Sequence, residues 1–182
     1  MAKDLYLRQT ISSLINVHKI VTIHYADFDK NFDYEGESHD FWELLYVERG
    51  EVCLQTKTKK LVLKEGEIIF HKPNEFHRHY CNGVISPRLF IVTFVCRSKA
   101  MAIFRGMHTK LPASALPIVN RFIQEAKTTF SLPKYDPHMR GLQLAEHSLP
   151  GGQQMIKLNL EMLLILLLRG AERTVFTSRD AW

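Results

Sequence analysis

Glu37-Ser38-His39-Asp40-Phe41-Trp42-Glu43-Leu44-Leu45-Tyr46-Val47-Glu48-Arg49-Gly50 is the stretch on which the fold turns. Side chains alternate faces along a strand, so Glu37, His39, Phe41, Glu43, Leu45 and Val47 share one side, and Asp40, Trp42, Leu44 and Tyr46 the other. Both sides are rich in apolar groups, which predicts a central strand covered on both faces. The first side also carries an imidazole and two carboxylates. Burying such groups bare costs several kcal/mol each, so that face either lines a pocket or pairs its polar groups internally.

Outward from this strand the same grammar continues. From about Val21 to Val95, short β-rich runs (VTIHYADF, HDFWELLYVERG, EVCLQTKT, LVLKEG, EIIFHK and RLFIVTFVC) alternate with turn signals. The breaks fall at Glu35-Gly36, Arg49-Gly50, Glu65-Gly66, Lys72-Pro73-Asn74 and Asn82-Gly83, where turn chemistry asks for Gly, Pro or Asn. This is the pattern of an all-β sandwich or barrel. Lys57, Lys59 and Lys60 cluster between two of the runs and read as a solvated hairpin tip.

After Val95 the period changes. Ser98 to Phe104 reads as one short helix, and a longer one is expected after Ser114, whose hydroxyl can act as N-cap. In it Leu116, Val119, Ile123, Ala126 and Phe130 recur at helical spacing. A loop rich in Pro and Gly follows, and then a helix over about Gln153 to Arg169, QQMIKLNLEMLLILLLR. Met155, Ile156, Leu160, Leu163, Leu164 and Leu167 form one stripe of it, while Leu158, Met162, Ile165 and Leu166 fall elsewhere on the wheel. A helix apolar nearly all round must be buried on more than one side. It is either wholly internal or shared with a second copy of the chain. The second reading is preferred, with a two-fold interface through Leu160, Leu163, Leu164 and Leu167.

Composition sets the outer limits. The 182 residues are 46% hydrophobic and 24% charged, which is ordinary for a soluble globular chain. The longest apolar run, Met162 to Leu168, falls far short of the roughly 20 residues that a membrane span needs, and the charged N-terminus lacks a secretory core. Cys53, Cys81 and Cys96 make an odd set without a CxxC pair, which argues against a disulfide framework and for a reducing cytoplasm. The net charge of +5 is scattered and does not by itself indicate nucleic-acid binding. No nucleophile elbow, phosphate loop, dinucleotide fingerprint or HExxH string is present.

A second motif completes the first: Gly66-Glu67-Ile68-Ile69-Phe70-His71-Lys72-Pro73-Asn74-Glu75-Phe76-His77 is a strand that ends in a proline turn and delivers a histidine, with His79 following at same-face spacing. Together, HDFWELLYVERG and GEIIFHKPNEFH resemble the AraC family of transcription regulators, whose sensor domains are cupin-like and carry a pattern close to H-x-H-D-F-Y-E-L-x-Y-V-x-x-G before a G-D/E…P-x-x-x-H segment. RLFIVTFVC and PGGQQMIKLNLEMLLILLLR also sit where such regulators have them, so the likeness covers most of the chain.

The resemblance implies a mainly β fold with C-terminal α: a cupin-like jelly-roll β-barrel over residues 1–97, and a helical dimerisation segment packed on it over 98–172. Residues 173–182 would then begin a linker to a helix-turn-helix domain outside this sequence. It implies a non-enzymatic, cytoplasmic sensor that binds a small-molecule effector, such as a sugar or small polar metabolite, and forms a homodimer. Such a protein meets DNA only through the further domain and has no business with membranes. His39, Glu43, His77 and Glu37 are the expected polar pocket groups, with Phe41 and Phe70 as walls.

One departure bears on cofactors. Where metal-binding cupins place two histidines in the first motif, this chain has Glu37 and then His39. The family resemblance implies a metal-free pocket, with a divalent ion held by Glu37, His39, Glu43 and His77 as the alternative. With it comes a different functional class, a stand-alone metal-dependent cupin enzyme, an oxygenase or isomerase. A barrel plugged by its own side chains, serving only dimerisation, is the third expectation.

Overall fold

The computed structural model describes residues 6–134, 136 and 138–179. Eight strands run in chain order: β1 (Val17–Asp27), β2 (Trp42–Arg49), β3 (Glu51–Thr56), β4 (Lys60–Lys64), β5 (Glu67–His71), β6 (His77–Tyr80), β7 (Arg88–Cys96) and β8 (His108–Lys110). They form a five-stranded sheet, ordered β1-β7-β2-β5-β8, and a three-stranded sheet, β4-β3-β6, with antiparallel neighbours throughout. The central place expected for the Glu43 strand is observed, since β2 lies between β7 and β5. Its hydrogen-bonded ladder begins only at Trp42; residues 37–41 precede it with a single bridge at Glu37 and a bend at Asp40–Phe41.

The turns fall where the sequence put them. Gly36, Gly50, Gly66 and Gly83 all have positive φ, and Asn74, at φ 63, is the one non-glycine residue of that kind among the described residues. The lysine cluster does sit at a hairpin tip, between β3 and β4.

The period-two pattern of β2 divides two cores. Leu45 and Val47 meet Val52, Leu54, Leu63, Ile69, Leu89 and Ile91 in the layer between the sheets. Trp42, Leu44 and Tyr46 face the other way, where Phe70, Phe90 and Phe94 meet α1 (Leu116–Thr129) and α2 (Gly152–Arg179) in a larger apolar core. Glu161 of α2 accepts a 2.8 Å hydrogen bond from the Val17 amide, tying the helix to the start of β1.

Several expectations are corrected here. Leu160, Leu163, Leu164 and Leu167, expected at a subunit interface, are 0–4% exposed within the single chain and belong to the core with α1 and the sheet. From Ile156 onward the regular stripe of α2 serves the core; Met155, expected in that stripe, is left outside with Leu158 and Met162, at 40–45% exposure. Ser114 does not cap α1: it lies in a 3-10 turn, and Ala115 is the capping residue. Leu116, from the expected stripe, is exposed, and Ile118 and Phe122 are buried instead. Helix α2 runs past Arg169 to Arg179, because residues 171–179 contain no proline and a lone Gly170 costs a helix only about 1 kcal/mol. Residues 180–182 of the expected linker lie outside the described residues. Two short strands were not foreseen, β6 and the edge strand β8, which carries His108. Among the described residues no helix is long and apolar enough to cross a membrane.

Candidate functional site

Register assembles a polar row on the inner face of the large sheet. Glu43 of β2 stands opposite His71 of β5 and opposite Thr93 of β7, and Thr93 stands opposite Thr22 of β1. Thr22 and Thr93 satisfy each other through hydroxyls 2.7 Å apart. From the small sheet, β6 adds His77 and His79, two residues apart and therefore on one face. Glu37 exchanges backbone hydrogen bonds of 2.9 and 3.0 Å with His77, which pins the start of the 37–41 segment to β6. Four imidazoles and two carboxylates thus converge at one end of the space between the sheets.

Glu43 is the hub and is 3% exposed. Its Oε2 lies 3.5 Å from Nε2 of His39 and 3.5 Å from Nε2 of His77, and its Oε1 lies 3.6 Å from Nε2 of His79. His79 Nε2 is in turn 3.4 Å from His71 Nε2. The outer ring nitrogens are fixed by the chain. Nδ1 of His39 meets the Phe41 carbonyl at 3.0 Å, and Nδ1 of His77 meets the Glu75 carbonyl at 3.0 Å. A carbonyl can only accept, so both Nδ1 atoms carry hydrogen. A neutral ring of that tautomer turns a lone pair on Nε2 toward the Glu43 carboxylate. Nε2 of both rings and Glu43 Oε1 are buried with no hydrogen-bond partner. The arrangement therefore calls for positive charge between the rings and the carboxylate.

In the protein alone, protons supply it. Burial works to raise the Glu43 carboxyl, but the charge of His77 and the close approach of His39 and His79 outweigh it and hold the group well below the usual carboxylate range. Burial likewise opposes charge on His77, and the Glu43 carboxylate overcomes it, raising that imidazole to about 9. His79, at the bottom of the cluster, is driven the other way by burial, to about 3, and stays neutral. Burial lowers His71 as well, against the pull of Glu75, whose carboxylate lies 3.6 Å from its Nδ1. Glu75 thus supports two rings, His77 through its backbone and His71 through its side chain.

A cavity of about 290 Å³ opens beside the cluster. Glu37, His39, Glu43 and His79 line it with Thr22, Thr93 and His24, Phe41 forms part of the wall, and Met139 and Arg140 reach it from the connection between α1 and α2. Phe41 stacks on His39 with ring centroids 3.9 Å apart.

The structure therefore brings Glu37, His39, Glu43 and His77 together, and places Glu37, His39, Phe41 and Glu43 on the cavity. Phe70 is corrected: it is 1% exposed on the opposite face, packed 4.7 Å from Phe104, because Ile69 and His71 take the inward positions of β5. His71 was missed for the same reason, since alternation alone does not say which of Phe70 and His71 turns inward. His79 was flagged by its spacing from His77 but not counted as a site residue. Arg140 and Thr22 carried no signal, one lying in a breaker-rich loop and the other in an ordinary strand.

Residues 19–83 match the family described as AraC-like ligand binding domain. Among solved structures, an apo variant of ToxT from Vibrio cholerae is similar at 8% identity and a TM-score of 0.51, covering 85% of this chain and 58% of that one. An RmlC-like cupin from Shewanella frigidimarina is similar at 24% identity and a TM-score of 0.36, over 41% of this chain and 65% of that one. This chain thus spans less than two thirds of either. No curated protein matches. The ToxT likeness takes in helices as well as strands, and what it shows is a shared fold.

Proposed function

We propose, from the match of residues 19–83 to the AraC-like ligand binding domain, that the barrel of this chain senses a small polar effector and passes its occupancy to the helices and to a DNA-binding domain beyond this sequence. The observation that carries the reading is the composition of the cavity wall. Groups from both sheets (Glu37, His39, Glu43 and His79) share it with Met139 and Arg140, which belong to the connection between α1 and α2. A ligand that touches both can favour one placement of the helices over another, which is the condition for a signal; tight binding without such a preference shifts nothing. Imidazole, carboxylate and hydroxyl groups beside an aromatic face suit a sugar or a comparable small hydroxylated metabolite. In the same reading the chain acts in the cytoplasm as a two-fold dimer, through the outward face of α2 that carries Leu158 and Met162.

A thermal-shift screen of sugars and small polar metabolites tests this. At least one compound is expected to raise Tm by several degrees, with the rise lost in His39→Ala and reduced in Arg140→Ala. A stabiliser that acts equally on both variants binds elsewhere, and the reading falls.

A second reading has its own support in the buried, unpartnered Nε2 atoms of His39 and His77. A divalent ion supplies the charge they call for, and ligand atoms of Glu37, His39, Glu43 and His77 all lie within 4.8 Å of one another. Imidazole and carboxylate suit a transition ion, and the two Nδ1 contacts to carbonyls are the outer support that ligating histidines ordinarily have. When bound, such an ion supplies Lewis-acid chemistry or an anchor for an effector oxygen. Metal analysis of the purified protein before and after chelation decides it.

A further inference from the structure

The two oxygens of Glu43 address different histidines. Oε2 faces His39 and His77, while Oε1, buried and without a hydrogen-bond partner, faces His79 with His71 directly behind. We infer that Glu43, His71 and His79 form a second cation site, distinct from the Glu37–His39–Glu43–His77 group and sharing only the Glu43 carboxylate with it, which takes a zinc-class divalent ion.

Three observations carry this. The first is spacing: the Nε2 atoms of His71 and His79 are 3.4 Å apart, and His79 Nε2 is 3.6 Å from Glu43 Oε1. Nitrogen and oxygen ligands at roughly 2.0–2.1 Å in a tetrahedral shell stand about 3.3–3.4 Å from one another, so both separations made by His79 are near the edge length of such a shell, and the three ligand atoms lie within 4.8 Å of one another. The second is availability. All three side chains are buried, at 1–7% exposure, and Glu43 Oε1 has no hydrogen-bond partner. His71 has the Glu75 carboxylate 3.6 Å from its outer nitrogen, an arrangement that supports the ring from outside while its Nε2 faces His79. The third is charge. Glu37, Glu43 and Glu75 surround four imidazoles, so three negative charges offset most of the four that two divalent ions bring. His79 and Glu43 both line the cavity, which gives an ion its route in. Because Glu43, His71 and His79 come from β2, β5 and β6, an ion there joins the two sheets.

The inference uses the same cluster as the single-ion reading, and the test separates them. Chelator-stripped protein is dialysed against zinc and its metal content measured, with a thermal melt on every sample. Two ions per chain are expected for the wild type, and one for His71→Asn and for His79→Asn. His39→Asn should also retain one, at the other position. If the wild type binds one ion, lost in His39→Asn but kept in His71→Asn, this inference is overturned while the single-ion reading stands. If it binds none, both fall. If His71→Asn fails to fold, Glu75→Gln replaces it, since beyond an exposed contact with the Lys72 amide that change touches only the outer nitrogen of His71. It is expected to weaken the second ion by about 10- to 100-fold and leave the first unchanged; equal affinities for both ions would overturn the assignment. The effector reading is untouched by any of these counts, because it rests on ligand-induced shifts in Tm.

Discussion

On the outer face of the large sheet, Trp42, Leu44, Phe70, Phe90 and Phe94 meet the helices in an apolar core. On the inner face of the same strands, Leu45, Ile69, Leu89 and Ile91 give way at one end to Glu43, His71 and Thr93. The strands are shared, so backbone pairing cannot account for the difference; side-chain parity does. The outer face is held by burial, which is non-directional and contributes roughly 1.5–3 kcal/mol for each large side chain. The inner end depends on directed contacts that cancel one another's desolvation and are lost together when one partner goes. One face holds the fold, and the other keeps a cluster that burial alone would not choose.

The largest effect should come from forcing the outer face to accept a charge. Leu164 is 0% exposed between α2, α1 and the sheet, so Leu164→Lys is expected to prevent folding. Leu164→Ala should cost about 2–5 kcal/mol in urea denaturation. A folded, monomeric Leu164→Lys would break the comparison, because this leucine would then have to be an interface residue.

The inner end should respond less in stability and more in proton chemistry. Glu43→Gln removes the hub charge, but His77 can then release its proton, which limits the cost to roughly 1–3 kcal/mol. The sharper readout is an NMR titration of His77, expected to fall from about 9 in the wild type as the Glu43 charge that raises it is lost. An unchanged His77 would mean that the pair is not coupled.

The same groups set a pH profile for metal-stripped protein. An unfolded imidazole gains its proton near 6.5. His79, held at about 3, stays neutral in the fold below that point, so its contribution is lost as pH falls from 6.5 toward 3, and lowered His71 adds to the loss. Glu43, held below its ordinary value of 4.5, adds a further loss under that value. His77 acts in the opposite sense: its contribution is complete below 6.5 and disappears as pH rises toward about 9. Stability should therefore peak near pH 6.5 and fall on both sides, by about 1.4 kcal/mol per pH unit for each net proton. His79→Asn should flatten the acid limb and His77→Asn the alkaline limb; a profile identical in both variants would detach the cluster from stability.

The contrast between the faces also explains what could be read in advance. Strand alternation placed Glu37, His39, Phe41 and Glu43 on the cavity side, and they line it although the chain bends at Asp40–Phe41 and Ser38 lines it as well. The turn residues were equally legible, since positive φ at Gly36, Gly50 and Gly66 restricts what can stand there. What could not be read depends on packing between distant segments. Phe70 and His71 are neighbours in one strand, and only the register of β5 on β2 decides which turns inward. Arg140 reaches the cavity from a loop without periodicity. In α2 the wheel revealed two apolar sides but not which of them the sheet would take. The stripe Leu160, Leu163, Leu164 and Leu167 was matched to the wrong partner for that reason.

The smallest effect on stability is expected on the side of α2 that the sheet did not take, and it bears most directly on assembly. Leu158 and Met162, each 45% exposed, lie four residues apart on the helix, with Met155 a turn earlier at 40%. Within one chain they bury little, so Leu158→Lys should change unfolding free energy by no more than about 0.5 kcal/mol. If a second copy covers this side, the same change places a charge in a two-fold contact and meets its own image there. Sedimentation should then show dimeric wild type and a folded, monomeric variant. Dimers that survive Leu158→Lys and Met162→Lys together would move the contact elsewhere. A monomeric wild type would leave this side of α2 as ordinary surface, and the difference between the faces of the sheet would then be a matter of one chain alone.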